Sequence, residues 1–345
     1  MRDLKHLLLL AFAIINGIGG SHSQKPPLGE GTKVCGNNDS FRKNVKINYK
    51  NEEGKWLFRQ PSVKVFKDLF IQEQYAPLDS HAIHDGGVSL EMCNSLEDLF
   101  RAHFRQFQFE GLEKPWQIFT NGWSDDDTAE YFGIPHRYLN NVNFCYLLVT
   151  IQKERDSKQL WGSIEDYKVD DSVATEVNNI DASCDVQTRN RISSFLSDVG
   201  SHYIHSYTTG NTLYQVLVYP KSVYNSFTME PSKDRFVRNL AKDYERTEYH
   251  GTIKTASGNR TVEAWAHQHL HVNHYANPFD VLYDYVYWNR TKFQQLSRQL
   301  EEEVIVQLNL RSTLPLFKER AQRNCVQEVL DDELNNSMFS GKNPT

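Results

Sequence analysis

Three histidines able to bind metal stand at alternate positions in the stretch EAWAHQHLHVNH. The pattern from 262 to 274 predicts a β-strand, and a period of two places His267, His269 and His271 on one face of it. Imidazoles in an H-x-H arrangement can share a zinc ion, so these residues are candidate ligands of a zinc-dependent enzyme. Alternate side chains stand roughly 7 Å apart along a strand, which hinders convergence on one ion. The alternative is a polar strand face that senses acid pH.

A second candidate pair, Ser201 and His202, lies in the stretch FLSDVGSHYIHSYTTGN. A serine beside a histidine could supply a nucleophile and a base, but the chain has no G-x-S-x-G elbow and no carboxylate placed to orient the histidine. Helical spacing before Gly200 and aromatic, β-branched residues after it predict a helix that joins a strand. Gly200 then takes the left-handed cap, and Ser201 and His202 satisfy carbonyls at the helix end, where His202 also complements the helix dipole. No catalytic residue and no cofactor are expected.

The first 23 residues are organised like a secretory signal peptide. Arg2 and Lys5 supply positive charge, residues 7–15 form an apolar core, and residues 21–23 give a small-x-small cleavage site. The apolar run breaks at Asn16, which makes it too short for a membrane anchor of about 20 residues. The chain is therefore expected to be secreted and extracellular. Its net charge of −6 gives no reason to expect a nucleic acid partner.

Export changes how the cysteines are interpreted, because an oxidising compartment favours disulfides. At least one disulfide is expected, and a total of five cysteines leaves one thiol over. Spacing does not decide the pairing among Cys35, Cys93, Cys145, Cys184 and Cys325. Candidate N-glycosylation sites fit a secreted glycoprotein and lie at Asn38, Asn259, Asn289 and Asn335.

Local patterns divide the chain into strands with helical segments between them. We expect a hairpin near 45–58 and strands at 63–71, 142–152, 203–219 and 262–274. We expect helices at 95–109, 232–249, 293–304 and 316–330, and a solvated loop at the acidic run 125–127. The Gly210-Asn211 dipeptide predicts a bend or bulge that contributes little to packing. This layout predicts an α+β fold with a bent antiparallel sheet flanked by helices.

The stretch around Gly200 resembles the signature of the membrane attack complex/perforin (MACPF) family. That signature has an aromatic-Gly-Thr-His-aromatic core, followed by a strand with a Gly-rich bend. Gly200, His202 and Tyr203 match the core, and Gly210 lies where the bend glycines lie. The departures are Val199 for the first aromatic residue, Ser201 for threonine, Asn211 for a second glycine and Ile192 for an upstream tyrosine.

The resemblance implies a bent, twisted four-stranded antiparallel sheet flanked by two helical clusters. One cluster lies between the first and second strands, and the other between the third and fourth. In this arrangement the signature residues form a structural corner, which consists of Gly200, Ser201, His202, Tyr203 and Gly210. The implied domains are a signal peptide (1–23), a lead-in and hairpin (24–60), a MACPF-like domain (61–310), and a C-terminal helix with a polar tail (311–345).

For a small secreted chain with one such domain, the resemblance implies a non-enzymatic extracellular signalling cue. Such a cue acts upstream of a receptor tyrosine kinase, in embryonic terminal patterning and developmental growth control. Its expected partners are the ligand or the receptor of that pathway, with association to an egg coat or cell surface. The alternative within the family is a membrane-perforating or lipid-binding effector.

Charge patterns argue against perforation. A lipid-facing hairpin needs strands of about 10 residues with every second residue apolar. Read at period two, residues 230–249 carry charges on both faces, and Arg101, His103 and Arg105 fall on one face of the segment 95–109. Each Lys or Arg that faces lipid at mid-bilayer costs about 2 to 4 kcal/mol. Both segments are therefore expected to remain helices.

Overall fold

Two long antiparallel strands, β5 (Phe144–Leu160) and β6 (His202–Pro220), form the centre of a nine-stranded sheet. The computed structural model describes residues 28–32, 63–75, 88–120, 123–228, 247–270, 295, 298–300 and 304–339. The other strands are β1 (Gly31–Thr32), β2 (Ile71–Tyr75), β3 (Val88–Cys93), β4 (Phe107–Phe109), β7 (Tyr249–His250), β8 (Lys254–Thr255) and β9 (Val304–Ser312).

Helices occupy the connections between the strands. The first helical group consists of three helices around β4. α1 (Leu96–His103) precedes β4, whereas α2 (Gln117–Thr120) and α3 (Asp125–Phe132) lie between β4 and β5. Between β5 and β6 lie α4 (Asp171–Asn178) and α5 (Val186–Asp198). Later helices are α6 (Lys221–Thr228), α7 (Arg260–Leu270) and α8 (Arg320–Phe339).

Burial explains why β5 and β6 form. The run CYLLV at 145–149 is buried, and it pairs with the equally buried apolar end of β6. The register is antiparallel and begins with Phe144 opposite Pro220. The strands predicted in these two places are confirmed. β5 continues to Leu160, beyond its predicted end, because its polar second half pairs with β6 on one edge and β2 on the other.

The fourth strand position is occupied by β9, so the strand predicted at 262–274 is wrong. The described part of that segment, 262–270, lies in α7 instead, because Val262 and Ala266 are buried one helical turn apart among good helix formers. β9 alternates buried and half-buried side chains, and it pairs antiparallel with β6 and parallel with β4. The helix predicted at 293–304 is wrong at Val304, which begins β9.

The α+β class, with a bent antiparallel central sheet flanked by helices, is confirmed. Two separate strands, β2 and β3, occupy the position of the first strand, and they pair with opposite ends of β5. Helices lie between the first and second strand positions and between the third and fourth, as the resemblance implies. β5 is irregular between Glu154 and Asp156, and the register of β6 on β9 shifts before Ser206 and before Thr209. Such irregularities bend a sheet.

Both ends of the described chain differ from expectation. Residues 28–32 are not a loose lead-in, since Leu28 is buried and β1 pairs with the start of β6. The stretch 63–70 makes isolated bridges rather than the predicted strand, and β2 begins at Ile71. The helix predicted at 316–330 begins at Arg320 and continues as α8.

Side-chain caps fix the starts of α1 and α3. The backbone N–H of Asp98 donates to Ser95 Oγ at 3.1 Å, which confirms the predicted start of α1, although the helix ends early, at His103, because β4 follows. The acidic run is the first turn of α3 and not a solvated loop. Ser124 caps this helix, and the Asp127 carboxylate accepts its backbone N–H at 2.7 Å. Acidic residues there complement the helix dipole.

Several predicted segments lie outside the described residues. They are the signal peptide, the hairpin at 45–58 and the helix at 232–249 up to residue 246. Within the described part of the chain, no helix is both long and apolar enough to cross a membrane.

Candidate functional site

The signature residues lie at the corner where α5 turns into β6. Gly200 has a φ of 103°, in the left-handed region that its predicted cap position requires. A Cβ atom on Gly200 would lie 2.6 Å from the backbone nitrogen of Thr32 and 2.7 Å from its carbonyl oxygen. Both the backbone conformation and the close approach of β1 therefore select glycine here.

Thr313, which the sequence analysis did not single out, bonds the carbonyl groups of Gly200 and Ser201 at this corner. Its hydroxyl donates to the carbonyl oxygens of Gly200 at 3.2 Å and Ser201 at 2.9 Å. Its backbone N–H also donates to the Ser201 carbonyl, at 3.0 Å. Because Thr313 directly follows β9, the corner depends on a strand that local sequence patterns did not predict.

His202 is 1% exposed, and both of its ring nitrogens have partners. Nε2 lies 2.7 Å from the carbonyl oxygen of Glu110, and Nδ1 lies 2.9 Å from Ser201 Oγ. Since a carbonyl only accepts, Nε2 carries the proton and Nδ1 accepts from the Ser201 hydroxyl. The pair resembles a nucleophile and its base. Both side chains are buried, however, so a substrate at the protein surface would not reach them. The geometry supports an architectural histidine that ties β6 to the end of β4.

Burial also fixes the charge of His202, because it lowers the pKa of the imidazole to about 4. The neutral ring cannot complement the helix dipole, so that part of the prediction is wrong. Between pH 6.5 and 4 the unfolded chain binds a proton that the folded chain does not. The free energy of unfolding should therefore fall as the pH decreases through this window, by on the order of 3 kcal/mol from His202 alone.

Denaturant unfolding at pH 4.5, 5.5, 6.5 and 7.5 measures this dependence. We expect His202→Gln to make the pH dependence of the unfolding free energy less steep, while His103 and His205, whose pKa values burial also lowers, keep their own contributions. The control is Val142→Ser, which replaces a 79% exposed side chain that has no titratable group and should leave the slope unchanged. A variant at His202 with the wild-type slope would contradict this assignment.

The rest of the signature lies inside β6. Tyr203 is buried, and that burial raises its pKa to about 12. A Cβ atom on Gly210 would lie 1.9 Å from a backbone carbonyl oxygen of β5, opposite the irregular stretch of that strand. Asn211 contributes more to packing than predicted, since it is buried and its Nδ2 donates to Ser257 Oγ at 3.2 Å. This bond holds β6 to the segment that leads into α7.

Of the candidate zinc ligands, the two within the described residues, His267 and His269, do not share a face. His267 and His269 lie on the helix α7, where residues two apart point about 200° away from each other. His269 stacks on Trp265 at 4.7 Å, and its Nδ1 lies 2.8 Å from the Trp265 carbonyl oxygen. His271 lies outside the described residues. Within the described part, no three His, Cys, Asp or Glu side chains are grouped to hold a metal ion.

One disulfide, Cys184–Cys325, joins the segment before α5 to α8, which confirms the expectation of at least one. Cys93 and Cys145 are free and buried, and Cys35 lies outside the described residues. Burial raises the pKa of both free thiols to about 12, so they are neutral and unreactive in the folded protein.

Of the two candidate glycosylation sites within the described residues, Asn259 lies in the turn before α7. Its Oδ1 accepts the backbone N–H groups of Thr261 at 2.9 Å and Val262 at 3.2 Å, and so caps α7. A glycan would modify Nδ2 and leave this capping oxygen in place. Asn335 lies on α8, and Asn38 and Asn289 lie outside the described residues.

An aromatic cluster joins the first helical group to β6, and sequence reasoning did not predict it. Phe104 stacks on Phe119 with ring centroids 4.9 Å apart, and Trp123 lies 4.6 Å from Tyr131. The hydroxyl of Tyr214 on β6 donates to the Tyr131 carbonyl oxygen at 3.0 Å. The members are Phe100, Phe104, Phe107, Phe119, Trp123, Tyr131, Phe132 and Tyr214. The aromatic density of residues 100–132 was the available signal.

No protein-family model and no curated protein matches the chain. Among solved structures, GNIP1Aa from Chromobacterium piscinae is similar over 92% of this chain and 59% of its own, at 10% identity and a TM-score of 0.44. A protein from Bacteroides thetaiotaomicron, described as a cell invasion protein with a MAC/Perforin domain, is similar over 91% of this chain and 61% of its own, at 10% identity and a TM-score of 0.39. The vertebrate protein astrotactin-2, described as a perforin-like membrane protein involved in neuronal development, is similar over 79% of this chain and 42% of its own, at 10% identity and a TM-score of 0.31. The chain thus spans less than two thirds of each, and likenesses this weak carry no argument about its function.

Proposed function

We propose that the chain is a secreted, non-enzymatic signalling protein of the MACPF family, most like the insect Torso-like protein. Torso-like proteins act at the egg poles, upstream of the receptor tyrosine kinase Torso and its ligand Trunk. The signature at the corner and the positions of the helical groups around the sheet support the family assignment. The proposed partners are the ligand or receptor of such a pathway, with association to an egg coat or cell surface.

The packing of the first helical group against the sheet is the observation that supports a function through the folded surface. Conversion of this group into a lipid-facing hairpin would take apart the aromatic cluster. Edge-to-face and offset ring pairs contribute about 0.5 to 1.5 kcal/mol each beyond their buried area. The hairpin would also turn Arg101 and Arg105 toward lipid, at about 2 to 4 kcal/mol each. The helices avoid both free-energy costs when they remain packed against the sheet.

The outward side of α1 offers charges for a protein partner. Arg101 bonds Asp98 at 2.9 Å and Glu97 at 3.5 Å, and Lys114 reaches Glu97 at 3.0 Å. Exposed ion pairs of this kind contribute about 0 to 1 kcal/mol to stability. They can therefore exchange partners at low cost, and such contacts mainly give specificity and speed of association.

The test is retention of the purified chain on immobilised extracellular Torso, with and without Trunk, together with receptor phosphorylation in responding cells. We expect retention that weakens as salt is raised and a receptor response that depends on the chain. Folded protein that neither binds nor changes receptor phosphorylation would contradict the proposal.

A second candidate, a lipid-binding effector, is favoured by an exposed apolar patch at one end of the sheet. Phe70 is 67% exposed, Trp161 is 66% exposed and Ile71 adjoins them. The backbone N–H of Trp161 donates to the Phe70 carbonyl oxygen at 2.8 Å, so these two exposed aromatic residues are neighbours at the edge of the sheet. Exposed aromatic side chains of this kind suit a membrane interface.

Sedimentation with phosphatidylcholine vesicles distinguishes the two candidates. The signalling proposal predicts no binding by the wild-type chain. A lipid-binding effector would bind, and Phe70→Ser with Trp161→Ser would weaken the binding at least about tenfold by loss of buried apolar area. The control is Val142→Ser, which removes a side chain that is 79% exposed elsewhere on the surface. The strand on which the zinc-enzyme alternative was based is not present in the described part of its segment, which is helical up to Leu270.

A further inference from the structure

His103, the last residue of α1, is half-buried and packs against aromatic rings from several elements. Its ring centroid lies 4.8 Å from that of Phe104, 5.4 Å from that of Phe132 and 4.6 Å from that of Tyr214. Nε2 lies 2.7 Å from the hydroxyl of Tyr131. Nδ1 is buried and has no hydrogen-bond partner among the described residues. A buried ring nitrogen without a partner weakens the packed state and needs an explanation.

A cavity of about 140 Å³ lies beside His103. Glu91 of β3 and Arg105 form an ion pair on its wall. The walls from β5, β6 and β9 carry no charge and include Leu148, Thr150, Gln152, Thr212, Ile305 and Val306. Among the described residues, the titratable or charged groups around His103 are Tyr131 from α3 and Tyr214 from β6, which its ring contacts, and Glu91 and Arg105, which line the same cavity.

We propose that His103 is an acid-operated latch between the first helical group and the sheet. A proton taken up from solvent puts a positive charge among rings that offer no acceptor for a second N–H. The cavity gives the imidazolium another position, where it shares the Glu91 carboxylate with Arg105. A move to that position breaks the Tyr131 bond and the ring contacts. α1 and α3 then loosen from β6 while the sheet itself stays formed.

The direction of the switch follows from burial, which lowers the pKa of His103 to about 3 from its ordinary value of 6.5. The packed state resists protonation, whereas the loosened state takes up a proton below about pH 6.5. The stability that the neutral ring provides is therefore present above pH 6.5 and lost as the pH falls. Between pH 7.5 and pH 5.0, linkage favours the loosened state by about 30-fold.

Cys93 is a built-in probe of this opening. It is 1% exposed, and Asp98 of α1 lies close enough to contribute to the raised pKa of its thiol, so α1 helps to cover it. In a Cys35→Ser, Cys145→Ser background it is the one free thiol, because Cys184 and Cys325 are bonded to each other. Dithiodipyridine reacts with thiols at acid and neutral pH. Its rate with Cys93, divided by its rate with a cysteine peptide, follows the opening equilibrium.

We expect the normalised rate to rise about 30-fold from pH 7.5 to pH 5.0 in the parent and to stay flat in His103→Phe. His136→Gln and His205→Gln should keep the full rise, which separates the latch from other histidines. Hydrogen exchange should remain slow in β5 and β6 at pH 5.0, which separates local loosening from unfolding. If His103→Phe does not fold, His103→Gln takes its place. A rise that survives replacement of His103, or a parent rate that does not rise, overturns the proposal. The latch does not depend on the signalling role, because loosening requires neither a receptor nor a membrane.

Discussion

Replacing Gly200 by valine should prevent secretion of folded protein. Valine has to adopt a φ of 103°, which strains a β-branched residue by about 1 to 3 kcal/mol. Its Cβ would also lie within 2.8 Å of three backbone atoms of Thr32, and backbone cannot move aside as a flexible side chain can. Separation of β1 from the corner then exposes His202 and Tyr203. The measurement is the amount of chain secreted and its melting temperature.

Gly111 provides a matched control for the same experiment. It also has a positive φ, of 81°, but a Cβ atom there meets nothing within 4 Å. Gly111→Ala therefore measures the backbone strain alone, whereas Gly200→Ala adds the clash with β1. We expect Gly111→Ala to cost about 1 kcal/mol and to be secreted. Equal secretion and equal melting temperatures for the two alanine variants would show that the corner is not tightly packed.

Loss of the Cys184–Cys325 disulfide should be the other large change. The bond closes a loop with a sequence separation of 141, and chain entropy alone predicts a stabilisation of up to about 5 kcal/mol. A Cys184→Ser, Cys325→Ser variant should therefore unfold at much lower denaturant concentration. Stability should fall by about 2 to 5 kcal/mol, measured by urea unfolding.

The ion pairs that join the same elements have to be separated from the covalent bond. Arg189 on α5 reaches Glu328 at 3.3 Å and Asp332 at 2.6 Å, both on α8. Arg189→Gln removes these pairs and keeps the disulfide. We expect it to cost less than about 1 kcal/mol, because the acidic partners are largely exposed. If Arg189→Gln costs as much as the loss of the disulfide, the entropic explanation is wrong.

The sequence predicted best where local residues decide the structure. Gly200 follows a helical pattern and precedes a β-branched one, and such a change leaves few conformations besides a left-handed cap. β5 and the end of β6 were predictable because their apolar runs are buried in the centre of a sheet. Ser95 likewise gave the start of α1, since a capping hydroxyl acts within its own turn.

Prediction failed at α7, where a local helix cap was overlooked, and at β9, where contacts distant in sequence decide the structure. The segment around His267 alternates like a strand, but Asn259 caps it as a helix and Glu263 accepts the backbone N–H of Thr255 at 2.9 Å. The start of β9 was hidden because Leu300 and Val304 continue a helical spacing. Pairing with β6 and β4 makes this stretch a strand, and no local pattern reveals that pairing.

The candidate site divides in the same way. The positions of Gly200 and His202 were predicted, but the partners of His202 were not, because Glu110 is 92 residues away. Thr313 is 112 residues from Ser201, so its role also depended on the fold. The aromatic cluster around His103 was missed for the same reason, because its rings come from the first helical group, the segments next to those helices, β4 and β6.

Dye release from lipid vesicles tests most directly the claim that the protein works through its folded surface. Micromolar protein is mixed with neutral and with anionic vesicles at pH 7.5 and pH 5.0, beside a known pore-forming protein as a positive control. We expect no release above buffer at either pH, because even a loosened first helical group would have to place Arg101 and Arg105 against lipid. Release by the wild-type chain, with exchange-protected strand replacing helix at 96–103, would contradict the account.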